Sequence, residues 1–356
     1  MTDTDHSSSL PTPWQQAPIP TIMLEGFSSM VRQAFAREPD TQRRFPQLER
    51  FLQQASYQEP TATPVETLAW QCATRSAALP PVAALCRLID VPDDSDTSAA
   101  HWLRADPVWL RADLTRVYLA AVGNLALDND ECAALSHELT PWLAELDIHI
   151  DTRHPQRWYV RLPAPSQVEL PHPLSVVGEG LEDLWQACEH AEAASNTASS
   201  TFDHPFWLRL SNEIQMLLHA QPLNEQRRQT GLPEANSLWF WGAGQLPERC
   251  DFSYRIEPSQ HAMLQGMTRW QQSQQAGLSA LPGLWHWCPL PGETPLDALA
   301  RLDALLAECA QQIGGGSIRL LSDEGECWIA STGVSWWRLS WWRQLFSTRK
   351  ATLLEL

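Results

Sequence analysis

Polar side chains with hydrogen-bonding and anion-binding chemistry interrupt an apolar pattern in the middle of the chain. The pattern predicts a helix from Ser211 to His219, with Asn212 and His219 on one face, and Asn224 and Arg227 follow in a basic connector. Amide, imidazole and guanidinium groups can all donate hydrogen bonds to a ligand, so we predict that these residues line a cleft. A helix whose polar groups are satisfied internally explains the pattern equally well.

A very apolar segment, residues 237–241, predicts a buried strand that runs directly into Gly242 and Gly244. Open α/β sheets place ligands where a buried strand ends in a glycine turn, so Asn236, Gly242 and Gly244 join the candidate binding residues. The glycines do not complete a GxGxxG fingerprint, because Pro247 stands at its last position. A close-packing turn is therefore favoured over a phosphate cradle.

The tripeptide Arg-Ala-Asp occurs twice, at Arg104 to Asp106 and at Arg111 to Asp113. Together with Arg157 or Arg161, these residues can form a pocket that binds phosphate or carboxylate through bidentate guanidinium contacts. The alternative is a set of Arg–Asp pairs that stabilises a small domain. We favour the alternative, because structural ion pairs are commoner than binding sites.

The C-terminal region repeats a Trp-Trp-Arg tripeptide at 336–338 and 341–343. Trp and Arg are enriched at interaction hot spots, so Trp337, Trp341 and Trp342 are candidate partner-binding residues. A terminal helix that packs onto its own domain is the favoured alternative.

The composition excludes some classes of partner. The formal net charge of −17 argues against nucleic acid and against anionic membrane surfaces. The eight cysteines contain no Cys-x-x-Cys pair, which argues against a zinc knuckle and favours reduced thiols in a cytoplasmic protein. Neither a signal peptide nor an apolar run long enough to span a bilayer is recognisable.

The elements that must position the candidate residues follow from periodicity. Residues 19–24 predict a first strand, residues 27–36 and 296–313 predict helices, and residues 101–165 predict an α+β unit that contains a hairpin. The fold class is therefore α/β, a mixed sheet flanked by helices with a smaller α+β insert. The predicted parts are a disordered N-terminus at 1–17, a first core segment at 18–100, an insert at 101–175 and a second core segment with the Trp/Arg-rich tail at 176–356.

Four segments, HWLRADPVWLRADLTRVYL, RWYVRLP, LSNEIQMLLHAQPLNEQRR and NSLWFWGAGQLP, carry a resemblance to the bacterial RpfE-type regulatory proteins. The resemblance extends from about residue 18 to the tail. The chain is also distantly similar to archaeal-type cofactor-independent phosphoglycerate mutases, chiefly between Pro222 and Gly244. That similarity implies an alkaline-phosphatase-like core with an inserted domain.

The similarity to the mutases also implies a metal site that this sequence does not reproduce. Residues 318–325 are similar to the strand ending in Asp-His-Gly that supplies metal ligands in such cores, but Glu324 stands where His is expected. The first strand ends at Glu25 where Asp is expected, and no nucleophile motif is recognisable. Two-metal chemistry needs ligands for both ions. The resemblance therefore implies a core that keeps the fold and has lost its metals.

The sequence thus predicts a non-catalytic regulatory or interaction protein on a degenerate mutase-like scaffold, with a small anionic ligand between core and insert. No cofactor or metal is predicted. The alternative is a metal-dependent phosphotransferase of phosphoglycerate-mutase type. A third possibility is a structural protein that binds a protein partner through the tail.

Overall fold

The computed structural model describes residues 17–38, 44–58, 62–93, 97, 100–114, 116–165, 170–186, 204–274 and 277–331. The predicted N-terminal segment, except Ala17, and the Trp/Arg-rich tail lie outside these residues. Within them, every helix is too short or too polar to cross a bilayer.

The described strands and helices are labelled in chain order. The strands are β1 (Thr21–Leu24), β2 (Ser56–Gln58), β3 (His101–Ala112), β4 (Val117–Val122), β5 (His149–His154), β6 (Arg157–Leu162), β7 (Ser237–Gly244), β8 (Arg255–Ile256), β9 (Gly283–Trp287), β10 (Ser317–Ser322) and β11 (Cys327–Ser331). The α-helices are α1 (Phe27–Arg37), α2 (Pro46–Gln54), α3 (Val65–Thr74), α4 (Val82–Asp90), α5 (Asn129–Glu145), α6 (His204–His219), α7 (Pro222–Thr230), α8 (Ala262–Gln274) and α9 (Pro295–Ile313).

The chain forms two compact units. The first comprises Met1–Ala78 and Cys250–Leu356, and the second comprises Leu79–Arg249. The predicted insert at 101–175 lies inside the second unit, whose sheet also takes a strand from residues 237–244. Within the first unit, the Ser253 amide donates to the Ala73 carbonyl at 2.7 Å, so the chain segments on either side of the second unit meet there.

The first unit contains a mixed six-stranded sheet in the order β2-β11-β10-β1-β9-β8. The central strand β1 is parallel to both of its neighbours, with Ile22 opposite Trp285 on β9 and Leu320 on β10. Strands β11 and β2 extend the sheet in antiparallel orientation.

Helices cover both faces of this sheet. Apolar residues of α1, α2 and α9, such as Phe27, Leu48 and Leu302, pack against Ile22 and Ile318 in one core. Helices α3 and α8 contact β1 and β8 respectively, and they contact each other, with the Trp70 and Trp270 rings stacked 6.0 Å apart. The predicted mixed α/β fold with flanking helices is confirmed.

The second unit contains an antiparallel sheet built on the long strand β3. One edge of β3 pairs with β6 and then with β4, and the other edge pairs with β7. Strand β5 completes the predicted hairpin with β6. Helix α4 packs against β3 and β7, and α5 packs against β5.

The structure corrects the interpretation of the segment that ends in Gly242 and Gly244. The glycines do not form a turn after the strand, because β7 continues through both of them. Strand β7 is also paired antiparallel with β3 rather than placed in a parallel sheet. The ligand-site rule for the carboxyl ends of parallel strands therefore does not apply to it.

Candidate functional site

The carboxyl ends of β10, β1 and β9 meet at one edge of the first unit's sheet, because these neighbouring strands are parallel. Glu25, Cys288 and Asp323 are the first residues after β1, β9 and β10. Backbone hydrogen bonds hold these strand ends together. The Glu25 amide donates to the Trp287 carbonyl at 2.9 Å, and the Asp323 amide donates to the Leu24 carbonyl at 3.1 Å.

Three chemically different donor groups converge at this edge. One ligand atom each from Glu25, His286 and Cys288 lies within 4.8 Å of the other two. His286 Nε2 and Glu25 Oε2 are 2.9 Å apart and share a hydrogen bond. This is the one such group of His, Cys, Asp and Glu residues in the part of the chain that the structure describes.

A second layer of polar residues surrounds the imidazole of His286. Its Nδ1 lies 3.1 Å from Ser259 Oγ, which also accepts a hydrogen bond from the His261 amide at 3.0 Å. The rings of His261 and His286 are 5.5 Å apart, and His261 Nε2 lies 3.1 Å from Glu66 Oε1. The ring of His286 is thus held at both nitrogens.

Two acidic residues after β10 cap the start of α1 instead of joining the donor group. The Gly26 amide donates to Asp323 Oδ1 at 3.0 Å. The amides of Ser28 and Ser29 donate to the Glu324 carboxylate at 2.5 and 3.0 Å. A carboxylate at this position satisfies the free amides of the first turn and complements the helix dipole.

The electrostatics of the edge follow from burial and from the surplus of carboxylates. Burial acts to raise the pKa of Glu25, but the hydrogen bond and charge of His286 outweigh it and lower that pKa. Burial, followed by the charge of Glu25, raises the pKa of the Cys288 thiol. Burial and the neighbouring carboxylates Glu25 and Glu324 raise the pKa of Asp323 to about 6. The edge therefore favours cations, whether protons or metal ions.

The order Ser259, His286, Glu25 is also that of a hydrolase triad. Two observations favour an orienting role for Ser259 instead. Its oxygen already accepts the His261 amide, and the His286 side chain is only 3% exposed, which leaves a substrate little access to the base.

The predicted anion-binding residues of the second unit form two internal ion pairs. The Nε and Nη2 atoms of Arg104 donate to Asp106 Oδ1 at 2.9 and 2.6 Å, and Asp106 Oδ2 accepts from Trp241 Nε1 at 2.7 Å. Arg157 donates to both carboxylate oxygens of Asp90, at 2.8 and 2.5 Å.

Tyr159 connects these two pairs. Its hydroxyl donates to Asp90, and its ring centroid lies 5.6 Å from the guanidinium carbon of Arg104. Arg111 is exposed on β3 instead, with its guanidinium carbon 5.7 Å from the centre of the Trp109 ring. The contacts of this cluster support the structural alternative. An anion bound there stays a prediction.

The candidate polar residues of the central stretch, which runs from α6 to the start of β7, divide into buried and exposed ones. Asn224 is 0% exposed, and its Nδ2 donates to the carbonyls of Leu218 and Ala235 at 2.9 and 3.1 Å. Its Oδ1 accepts the Ala235 amide at 2.9 Å. Asn212 and His219 are exposed on α6. The buried amide thus joins the end of α6 to the segment that enters β7.

Arg227 and Asn236 have comparable internal contacts. Arg227 donates to the Pro233 carbonyl and to Glu131 Oε1, both at 2.7 Å. Asn236 both accepts from the Leu110 amide and donates to the Leu110 carbonyl, at 2.8 Å in each case. These contacts again support the structural alternative for the central stretch.

The two glycines of β7 lie against the start of α4. A Cβ at Gly242 would lie 2.8 Å from Val82 Cβ, and one at Gly244 would lie 2.7 Å from Pro81 Cβ. Close packing, the favoured alternative, therefore accounts for both glycines. The candidate partner-binding residues Trp337, Trp341 and Trp342 lie outside the described residues.

The donor group at the edge of the first unit is not predicted by the sequence pattern. Residues 284–288 read only as an apolar segment, and the histidines of the chain are spread singly. One signal is present, because residues two apart on a strand share a face and place His286 beside Cys288. The pairing of β9 with β1 supplies Glu25, and that pairing is not visible in local sequence.

The chain matches no protein-family model, and no curated protein matches it. Among solved structures it is similar to the cofactor-independent phosphoglycerate mutase from Thermoplasma acidophilum DSM 1728, with a TM-score of 0.37 and 14% identity over 88% of this chain and 89% of that one. It is also similar to the PH0037 protein from Pyrococcus horikoshii, with a TM-score of 0.41 and 12% identity over 89% of this chain and 88% of that one. With TM-scores and identities this low, neither likeness assigns a function to this chain.

Proposed function

We propose that the protein is a non-catalytic regulatory protein, of the RpfE type that its sequence resembles, and that it binds one divalent cation at the carboxyl edge of the first unit's sheet. The observation that carries the proposal is the convergence of Glu25, His286 and Cys288 within 4.8 Å. Carboxylate, imidazole and thiolate are all metal ligands, and three of them suffice to hold one ion.

The donor set is too small for phosphoryl transfer by two metals. Such a site needs ligands for both ions and a nucleophile between them. Within the described ranges, one group of three donors is present. Glu324, which stands where the mutase resemblance implies a ligand, is committed to the amides of Ser28 and Ser29. The residues therefore do not fit the two ions that the resemblance implies.

A cation suits this edge better than the small anion predicted from sequence. Glu25, Asp323 and Glu324 give it a negative potential. The guanidinium groups proposed to hold an anion are in the second unit, where Arg104 and Arg157 have carboxylate partners at hydrogen-bond distance. Binding a further anion there would have to displace buried ion pairs, which is costly.

Equilibrium dialysis of metal-free full-length protein against Zn²⁺ and Mn²⁺ tests the proposal, with bound metal measured by mass spectrometry. We expect one ion per chain, lost in Glu25→Gln and retained in Glu308→Gln, an exposed carboxylate of the same unit. Failure of both ions to bind stoichiometrically, or equal binding by Glu25→Gln, would contradict the proposed cation. Metal-dependent turnover of a phosphate ester or a phosphoglycerate would contradict the non-catalytic assignment and restore the phosphotransferase.

A further inference from the structure

The three donors at the edge differ in hardness, and this difference narrows the choice of ion. Glu25 supplies an oxygen, His286 a ring nitrogen and Cys288 a sulfur. Mg²⁺ and Ca²⁺ are bound almost entirely by oxygen ligands. Thiolate with imidazole is typical of zinc, and three protein ligands with a fourth position open are the arrangement found in catalytic zinc sites.

The placement of the donors suits a small tetrahedral ion. His286 lies on β9, and Glu25 and Cys288 are the first residues after the adjacent parallel strands β1 and β9, so all three side chains start on or directly beside the sheet. The side chain of His286 is 3% exposed and that of Glu25 is 32% exposed, which places the open side of the group at the carboxylate.

Ser259 provides the contact that a metal-binding imidazole requires. When Nε2 binds a metal, Nδ1 carries the proton and needs an acceptor. Ser259 Oγ is 3.1 Å from that nitrogen. A hydroxyl has two acceptor positions, and the His261 amide occupies one of them, so the second is available for His286.

We infer that the bound ion is zinc, held by the Cys288 thiolate, His286 Nε2 and the Glu25 carboxylate, with Ser259 as the residue that positions the imidazole. This inference rests on the proposed function and specifies its ligand. Binding replaces the hydrogen bond between Glu25 Oε2 and His286 Nε2. The proton on Nε2 leaves to solvent, Nδ1 carries the single proton of the bound imidazole, and the proton of the Cys288 thiol also leaves to solvent. In the absence of metal, that hydrogen bond keeps two of the three ligand atoms together.

Titration of metal-free full-length protein with Co²⁺ tests the sulfur ligand directly. A thiolate bound to Co²⁺ gives a charge-transfer band in the near ultraviolet that nitrogen and oxygen ligands do not give. We expect this band in the wild type and its loss in Cys288→Ser. The matched control is Cys250→Ser, another partly buried thiol of the same unit that is not part of the group, and it should keep the band.

Competition with a chromophoric zinc chelator tests the positioning role. Ser259→Ala should weaken zinc binding by about 10- to 100-fold, because it removes the hydroxyl that positions the imidazole of His286. It should keep the cobalt band, because the Cys288 thiolate is unchanged. Ser259→Thr should restore affinity. Thermal melts of the metal-free variants provide the control for folding. Ser259→Ala with wild-type zinc affinity would assign Ser259 a structural role only and overturn this part of the inference.

The inference and the proposed function fail in different ways. If one ion binds through Glu25 but the cobalt complex lacks the band and Cys288→Ser retains its zinc affinity, the thiolate site is wrong and the cation-binding proposal stands. If no divalent ion binds, both are wrong. If zinc binding persists in Cys288→Ser and is lost in Cys250→Ser, the metal is held by a thiol outside the group and the assigned site is wrong.

Discussion

Asp323 is a buried acid whose protonated form the fold favours. Its pKa of about 6 lies above the ordinary aspartate value of 3.8, because burial and the charges of Glu25 and Glu324 disfavour the carboxylate. Between pH 3.8 and pH ~6 the folded state therefore binds more protons than the unfolded state. The free energy of unfolding that this group contributes is fully present below pH 3.8 and is lost as the pH rises through about 6.

We predict that Asp323→Asn stabilises the metal-free protein above pH ~6 by about 1 kcal/mol, an estimate reduced for solvent screening, with the gain shrinking towards pH ~4. The amide keeps an oxygen for the Gly26 N–H and removes the charge. Urea unfolding at several pH values measures the effect. Asp251→Asn is the control, since it makes the same change in net charge at an exposed position of the same unit. A gain that does not depend on pH would show that the charge of Asp323 is not responsible.

Individual polar residues are the hardest part of the molecule to interpret from sequence. Asn224 and Asn212 are identical in type and lie in the same polar stretch, yet one is buried with three hydrogen bonds and the other is exposed. The partners of Asn224 are backbone groups brought to it by the fold. Residue type gives the capacity to bond, and tertiary structure decides whether the partner is a ligand or the protein itself.

At the scale of elements, strand β7 and helix α4 pack closely at a glycine. Gly242 has φ +63°, and its backbone approaches Val82 at the start of α4. Gly231, which ends α7, has φ +76°, and a Cβ added there would have no atom within 4 Å. Both glycines therefore adopt a backbone conformation that other residues rarely adopt. Only Gly242 is also packed closely against a neighbouring side chain.

We predict that Gly242→Ala destabilises the protein more than Gly231→Ala. Both variants lose about 1–2 kcal/mol to the left-handed backbone, and Gly242→Ala loses roughly 1–3 kcal/mol more to overpacking against Val82. Denaturant midpoints of the two variants and the wild type measure the difference. Equal losses would mean that β7 and α4 separate without cost.

Most elements are predictable from the sequence, because periodicity and capping are local signals. The capping box of Asp128 and Glu131 starts α5, and the hairpin of β5 and β6 forms within the predicted α+β unit. Pairing between distant strands is not predictable in this way. The apolar run of β7 is typical of a parallel sheet, but β3 pairs with it in an antiparallel sheet. The candidate metal group depends on the same kind of distant pairing.

At the scale of the whole molecule, the second unit has the features of an independent folding unit. It has its own sheet, and its buried arginines Arg104 and Arg227 have partners within the unit. Helix α4 and strand β7, which cover and extend β3, both belong to it. These contacts do not require residues from the first unit.

We predict that a fragment of residues 79–249 folds by itself and that a fragment of residues 101–175 does not. The shorter fragment lacks α4 and β7, so it exposes one edge of β3 and the apolar surface that these elements cover. Cooperative thermal unfolding and dispersed amide resonances should distinguish the two. A folded 101–175 fragment would establish the smaller insert that the sequence predicted and contradict the larger unit.

The central position of β1 has a consequence for how the protein is made. The ribosome produces this strand before the second unit, and its partners on β9 and β10 emerge only after the whole second unit has been synthesised. Since nascent domains generally fold from the N-terminus onwards, the second unit can fold on the ribosome before the first has a sheet. During that interval the apolar segment Thr21–Leu24 is without its native partners, and a chaperone that covers it would protect the nascent chain from aggregation.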